Sequence, residues 1–280
     1  MGSMMAIAAG LCALAAGSAA NAEVASPWSE GFKSKTRMVA GNVSMGEGPG
    51  RIYAGIEVAI PEGWKTFWRS PGDAGGVPPF FDWAASENLG SAKVLYPQPS
   101  RLKDASGEAV GYKTSVVFPV EVTPKDPSKP VVLNLAMEFG VCREICIPAE
   151  AKLSLAMPTA STPAPLVLAA ALDAVPRKTA DRRPNDPELK AVRAILTGDK
   201  PKLEIDVVFT GHLAGADVFV EAPDGIYLSL PKRVPSPPGA NVTFAINLDT
   251  GVEAAELKGK TLLITMVSAA GQSEATWKVD

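Results

Sequence analysis

The stretch "RIYAGIEVAI", residues 51–60, places an apolar side chain at every second position. Side chains on a β-strand point alternately to opposite faces, so every second residue lines the same face. The residues that would form this apolar face are Ile52, Ala54, Ile56, Val58 and Ile60. The pattern therefore predicts a strand that buries one face.

The sequence on the C-terminal side of this strand repeats the signal. Four further runs have strand character: Lys93–Tyr96, Ser115–Val122, Val131–Phe139 and Lys152–Ala156. Pro and Gly, with 25 residues of each in the chain, separate the runs. Short strands with turn residues between them are typical of an immunoglobulin-like β-sandwich. The sequence predicts such a domain over residues 23–158.

A segment with linker composition, "PTASTPAP" at residues 158–165, follows this domain. Residues 166–175 are predicted to form a short helix. A second helix is predicted from Asp186, as the N-cap, to Gly198, which would end it. The sequence thus predicts a linker with short helices over residues 159–199.

Strand patterns return from Lys202 onward, in six runs that reach the end of the chain. They predict a second, smaller β-sandwich over residues 200–280. The predicted fold class is therefore all-β: an immunoglobulin-like sandwich and a second sandwich, joined by a short helical linker.

The N-terminal residues have the features of an export signal. Residues 5–17 form an uncharged apolar run that is too short to span a bilayer. Residues 20–22, "ANA", then supply a small-x-small cleavage pattern. We therefore predict a signal peptide over residues 1–22 and a soluble mature protein in a compartment where disulfides can form. Cleavage would remove Cys12 and leave two of the three cysteines.

Composition and motifs exclude several classes of function. The formal net charge of −3 gives no basic footprint for nucleic acid. The chain has a single histidine, His212, and no G-x-S-x-G motif, so nothing pairs a nucleophile with a base for hydrolysis. The glycine-rich run at residues 70–79 lacks the Gly-Lys-Ser/Thr ending of a phosphate-binding loop.

The remaining candidate chemistry lies in "EFGVCREICIP", residues 138–148. Cys142 and Cys146 are separated by three residues, and the strand before them and Pro148 after them predict a short loop or hairpin tip. The Cα atoms of a disulfide usually lie about 4.4–6.8 Å apart, which a turn of this length can provide.

The residues alone leave three roles open for this pair. A structural disulfide across about five residues would contribute only about 2 kcal/mol through the entropy of the unfolded chain. A tight disulfide near the surface is more readily reduced, which favours thiol–disulfide exchange. Zinc would need four ligands, of which the chain offers two thiols and the distant His212, whereas copper(I) accepts two thiolates.

The segment "VCREICIP", residues 141–148, resembles the periplasmic N-terminal domain of DsbD-type thiol:disulfide interchange proteins. It does so together with "WKTFWRSPGDAGGVPPFFDW" (64–83), "YPQPSR" (96–101) and "GYKTSVVFPVEV" (111–122). The similarity is stronger to the soluble region of the related copper-sensitivity suppressor ScsB proteins. W-R-x-P-G-D combined with V-C-x-x-x-C-x-P is specific, whereas either half alone is weak.

The resemblance implies that Cys142 and Cys146 shuttle between dithiol and disulfide. It also implies a cap loop over the disulfide, for which Tyr112 in "EAVGYKT" (108–114) is the candidate residue. No cofactor is expected. The implied partners are a membrane-embedded electron donor of the DsbD, ScsB or CcdA type and periplasmic thioredoxin-like proteins. DsbD itself has more residues between its cysteines, so the loop geometry need not match.

The leading hypothesis is a periplasmic thiol:disulfide oxidoreductase that relays reducing equivalents from the membrane donor to exported thioredoxin-like proteins. The transmembrane section and the C-terminal thioredoxin-like domain of DsbD are not seen in this sequence, so we expect a separate membrane protein to supply the electrons. One alternative is a β-sandwich binding module with a static disulfide. Another is a copper(I)-handling periplasmic protein.

Overall fold

The computed structural model describes residues 24–44, 51–104, 107–158, 161–210, 213–235, 239–248 and 254–280. The predicted signal peptide at residues 1–22 and His212 lie outside these ranges. Among the described residues, no helix is both long enough and apolar enough to cross a membrane.

Residues 24–158 form the first sandwich. Its strands are β1 (Ser29–Gly31), β2 (Ser34–Val43), β3 (Arg51–Ala59), β4 (Lys65–Phe67), β5 (Phe80–Asp82), β6 (Leu89–Val94), β7 (Ser100–Asp104), β8 (Gly107–Lys113), β9 (Ser115–Pro124), β10 (Val132–Cys142) and β11 (Cys146–Ala156). One sheet has the order β1-β2-β3-β9-β6, and the other has the order β11-β10-β4-β8-β7 with β5 beside β10. All pairings within the two sheets are antiparallel.

The core of the first sandwich lies between these sheets, and β3 shows why. Ala54, Ile56 and Val58 on β3 are fully buried. They pack with inward-facing residues of the other sheet, such as Leu133 and Phe139 on β10. The alternation in residues 51–60 therefore has the predicted consequence, because one face of β3 meets the opposite sheet.

A short helix, α1 (Leu166–Asp173), follows the first sandwich, as predicted. Its Leu168 is fully buried and packs beside Val39 and Tyr53 of the first sandwich. Gly55 makes room for it, because a Cβ atom there would lie 2.8 Å from the Cδ1 atom of Leu168. The helix is thus attached to the outer face of β3.

Residues 177–280 form the second sandwich. Its strands are β12 (Arg177–Lys178), β13 (Glu188–Ile195), β14 (Lys202–Val208), β15 (Asp217–Glu221), β16 (Lys232–Arg233), β17 (Asn241–Asn247), β18 (Thr261–Ser268) and β19 (Gly271–Lys278). They form two sheets with the orders β12-β19-β18-β15 and β13-β14-β17-β16. The chain is thus an immunoglobulin-like sandwich and a second β-sandwich joined by a short helical linker.

The helix predicted from Asp186 to Gly198 is wrong, because Glu188–Ile195 is strand β13, which pairs with β14 along its length. Asp186 does not cap a helix. Its buried carboxylate accepts hydrogen bonds from the guanidinium of Arg177 at 2.6 and 2.7 Å. In a run this short, the spacing of the apolar residues fits both the helical and the strand period. Residues 188–195 form a strand because they pair with β14.

One of the six runs predicted as strands from Lys202 onward, "IYLSL" at residues 226–230, is irregular in the structure. The backbone N–H of Leu230 donates to the carboxylate of Asp73 in the first sandwich at 2.8 Å, and not to a neighbouring strand. The side chain of Leu230 is buried in the core of the first sandwich. A contact between the sandwiches therefore replaces the expected ladder.

Candidate functional site

The two cysteines lie at the end of the β10–β11 hairpin. Cys142 is the last residue of β10 and Cys146 is the first of β11, and the register places them directly opposite each other. They are joined by a disulfide, with Cα atoms 4.1 Å apart. The three residues between them form the exposed hairpin tip, which is the predicted position.

The two halves of the disulfide differ in exposure. Cys146 is exposed, whereas Cys142 is only 1% exposed. Cys142 packs in a small cluster with Phe67, Leu102 and Ala109, against which Ala74 also packs. A reagent from solvent therefore meets the Cys146 side of the bond first.

The loop after β4, residues 70–79, covers part of this cluster. Gly76 lies flat on the ring of Phe67, since a Cβ atom at Gly76 would be only 2.4 Å from the Cε1 atom of Phe67. The carbonyl of Val77 accepts a hydrogen bond of 3.1 Å from the N–H of Gly140 on β10. This loop therefore fixes Phe67, which in turn shields Cys142.

A buried cation lies next to Cys142. Lys65 on β4 is directly opposite Cys142 in the sheet, and directly opposite residues have Cβ atoms about 4.5–5.5 Å apart. The Lys65 side chain is 9% exposed, and its ammonium pairs with Asp104 at the end of β7. A cation at this position favours a thiolate on Cys142 once the disulfide is reduced, and Asp104 opposes part of this effect.

The surface around Cys146 is partly apolar. Ile145 at the hairpin tip is 68% exposed. Phe32, which is 48% exposed, meets Trp64 edge to face with ring centroids 5.6 Å apart. Arg143 at the tip lies beside Gly63, the residue that precedes Trp64. Ile145, which precedes Cys146, thus presents an exposed apolar side chain next to the accessible half of the disulfide.

The structure places Tyr112, the candidate cap residue, in the core of the first sandwich. The side chain is 8% exposed, its ring lies 5.6 Å from that of Phe118, and its hydroxyl donates to the carbonyl of Pro97 at 2.9 Å. Burial raises the pKa of Tyr112 well above its usual value, so the hydroxyl stays protonated. Tyr112 points to the inner face of the sheet, whereas Cys142 belongs to the cluster on the outer face. In this structure Tyr112 therefore does not cover the disulfide.

No group of three or more His, Cys, Asp and Glu side chains that could hold a metal ion occurs among the residues the structure describes. Sequence reasoning did not identify Lys65, Phe67 or Asp104 as neighbours of the cysteines. Lys65 and Phe67 lie in the "WKTFWR" segment quoted above, but their alternation on a three-residue strand is too short to detect.

Comparison with known proteins agrees with this geometry. Residues 40–158 match the family described as thiol:disulfide interchange protein DsbD, N-terminal. These residues are a DsbD N-terminal domain. The disulfide hairpin of the first sandwich is therefore part of a thiol–disulfide interchange domain.

The remainder of the chain has a match of its own. Residues 174–280 match a domain of unknown function, DUF8393. The crystal structure of the N-terminal periplasmic domain of ScsB from Proteus mirabilis is similar over both sandwiches. It has a TM-score of 0.67 and 22% sequence identity, and the match covers 91% of this chain and 98% of that chain. This likeness establishes the fold. No curated protein matches the chain.

Proposed function

We propose that this protein is a periplasmic thiol–disulfide exchange protein that relays reducing equivalents through Cys142 and Cys146. Its electron donor is a membrane-embedded transporter of the DsbD, ScsB or CcdA type, and its acceptors are exported thioredoxin-like proteins. The observation that carries the proposal is the asymmetric disulfide of the DsbD N-terminal domain, with Cys146 exposed and Cys142 buried.

This asymmetry supports a different role for each cysteine. In the reduced protein the thiolate of Cys146 attacks the partner's disulfide, and one partner sulfur leaves as a thiolate. The thiolate of Cys142 then attacks Cys146, which breaks the mixed disulfide and releases the second partner sulfur. Two electrons pass to the partner, which leaves as a dithiol after taking up two protons, and the Cys142–Cys146 bond forms again.

The surroundings of the cysteines support both steps. Ile145 offers apolar contact area beside the attacking sulfur, and thioredoxin-like partners must approach that sulfur closely. Lys65 favours the thiolate of Cys142 that resolves the mixed disulfide. The membrane donor then reduces the disulfide by the same exchange in the opposite direction.

The test is the reduction potential of the Cys142–Cys146 pair in the purified protein. Thiol labelling across a series of glutathione or dithiothreitol buffers measures it. A reversible two-electron transition between about −120 and −270 mV is the expected result, since known thiol relays lie in that range. A bond that stays closed below about −300 mV contradicts the proposal and indicates a structural disulfide.

A further inference from the structure

The W-R-x-P-G-D segment, residues 68–73, makes several of the contacts that join the two sandwiches. Trp68 is 1% exposed, and its ring centroid lies 5.6 Å from that of Phe219 in the second sandwich. Arg69 donates to both carboxylate oxygens of Glu221, at 2.9 and 3.0 Å from Nε, and to Glu274 at 2.7 Å. Burial alone lowers the pKa of Arg69, but hydrogen bonds and charge from these carboxylates raise it above its usual value. The interface thus holds a charged, well-paired arginine beside an aromatic contact.

Asp73 connects this interface to the loop that shields the disulfide. Its carboxylate accepts hydrogen bonds from the hydroxyl of Tyr227 at 2.6 Å and from the N–H of Leu230 at 2.8 Å, both in the second sandwich. The next residue, Ala74, packs against the cluster that contains Cys142. Asp73, which is hydrogen-bonded to the second sandwich, and Ala74, which packs against the cluster around Cys142, are therefore adjacent in the chain.

Arg101 on β7 repeats this arrangement. Its guanidinium donates to both carboxylate oxygens of Asp217 in the second sandwich, at 2.9 and 2.8 Å. It also donates to the carbonyl of Pro231 at 2.9 Å. The next residue, Leu102, points to the opposite face of the strand and belongs to the cluster around Cys142. Residues 71–76 and β7 are thus both hydrogen-bonded to the second sandwich, and both contribute side chains to the cluster that contains Cys142.

These two segments are also tied to each other through β8. The N–H of Ala74 donates to the carbonyl of Glu108 at 3.0 Å, and the N–H of Val110 donates to the carbonyl of Pro71 at 2.7 Å. The side chain of Glu108 accepts a hydrogen bond of 3.0 Å from Arg101. The loop, β7 and β8 therefore form one connected layer over Cys142 that the second sandwich holds from outside.

We infer that the second sandwich is a positioning domain for the redox site. It holds residues 71–76 and β7 closed against Cys142, and so controls how readily the sulfur of Cys142 departs when Cys146 is attacked. An attacking thiolate forms a bond to the Cys146 sulfur, and the electron pair of the broken S–S bond leaves on Cys142. The apolar cluster around Cys142 opposes the effect of Lys65 and disfavours that thiolate, and a thiol with a higher pKa is a slower leaving group. This inference deepens the proposed function and gives the second sandwich a role in it.

The test uses the full chain with the substitutions Asp217→Asn and Tyr227→Phe combined, which remove an anchor of each segment without changing the first sandwich. The rate of reduction of the Cys142–Cys146 bond by dithiothreitol is followed by thiol labelling and mass spectrometry. We expect the rate to rise about tenfold. The two substitutions weaken or remove hydrogen bonds that involve charged groups, which are among the stronger ones, and their loss should admit water to Cys142. Amide hydrogen exchange in residues 71–76 should become faster in the same sample.

The matched control is Asp206→Asn, which removes the carboxylate paired with Arg193 on the other sheet of the second sandwich. We expect its reduction rate to equal that of the unaltered protein. The inference is wrong if the double variant exchanges faster in residues 71–76 but is reduced at the original rate, or if its exchange is unchanged. If the double variant does not fold, the two single variants are compared with the control in the same way.

This test can fail separately from the proposed function. Dithiothreitol reduces a disulfide whether or not the protein serves as a relay, so the comparison of rates depends only on the surroundings of Cys142. The reduction potential of the unaltered protein tests the relay independently.

Discussion

Cys142 and Cys146 face each other directly across one hairpin, yet Cys142 is buried and Cys146 is exposed. We therefore expect the two single-cysteine variants to differ in trapping a partner. Cys142→Ser keeps the accessible thiol and should accumulate a mixed disulfide with an oxidised thioredoxin-like protein. Cys146→Ser keeps only the shielded thiol and should form at least about tenfold less, because access limits exchange. Non-reducing electrophoresis and mass spectrometry measure both.

The same pair of variants contains its own control. Unfolding in denaturant should expose the remaining thiol of each variant equally. The two unfolded variants should therefore react with a thiol-labelling reagent at similar rates. Equal trapping by the two folded variants, or greater trapping by Cys146→Ser, would show that burial of Cys142 does not select the attacking sulfur.

Lys65 should raise the reduction potential of the pair, since a cation beside Cys142 stabilises its thiolate and hence the reduced state. The substitution Lys65→Met keeps much of the buried stem and removes the charge. We expect a potential about 10 to 30 mV more negative, measured in glutathione buffers. Lys103→Met is the control, because the Lys103 side chain is 80% exposed and pairs with Glu108 within the β7–β8 hairpin. An unchanged or more positive potential in Lys65→Met would contradict this role.

Gly76 should be needed to keep Phe67 in place over Cys142. A Cβ atom at Gly76 would lie 2.4 Å from the Phe67 ring, so Gly76→Ala must displace the ring or the loop. We expect a loss of about 1 to 3 kcal/mol in the free energy of unfolding, as for other overpacked sites. We also expect faster reduction by dithiothreitol. Denaturant unfolding and thiol labelling measure the two effects.

The neighbouring glycine provides the control for this prediction. Gly75 has a φ of +68°, and nothing lies within 4 Å of a Cβ atom built on it. Gly75→Ala should therefore cost about 1 kcal/mol through backbone strain and leave the reduction rate unchanged. If the two alanine variants are reduced at the same rate, the contact between Gly76 and Phe67 does not shield Cys142.

The sequence predicts the parts of this fold that depend on local pattern. The alternation at residues 51–60 predicts β3 and its buried face, and the cysteine spacing predicts the hairpin tip. The helix predicted from Asp186 is wrong because its apolar spacing fits two periods, and the choice between them depends on pairing with distant β14.

The surroundings of the cysteines are less predictable, because they come from distant parts of the chain. Cys142 lies beside Lys65 on β4 and shares a cluster with Leu102 on β7, and only the sheet order brings these strands together. The contacts of Arg69 and Asp73 with the second sandwich cannot be predicted from the sequence for the same reason. Their segment resembles a family motif, but their partners lie about 150 residues away in the second sandwich.

Asp186 should make the stability of the protein depend on pH. Burial alone raises its pKa, but hydrogen bonds from Arg177 and from the N–H groups of Arg183 and Gln272 lower it below the usual value. A carboxyl group with a lowered pKa stabilises the fold fully above its ordinary pKa of about 3.9. This contribution is lost as the pH falls through the pKa of the folded state.

The substitution Asp186→Ala should therefore cost about 3 kcal/mol in the free energy of unfolding at pH 7, because it leaves the mostly buried Arg177 without its carboxylate. The difference from the unaltered protein should shrink below about pH 4, since protonation then removes the same charge. Denaturant unfolding from pH 3 to pH 7 measures it. Glu30→Ala is the control: its 65% exposed carboxylate pairs with Lys35, far from Arg177 in the sequence, and its loss should cost about 1 kcal/mol or less. A difference for Asp186→Ala that stays constant down to pH 3 would show that this carboxylate is not the source of the pH dependence.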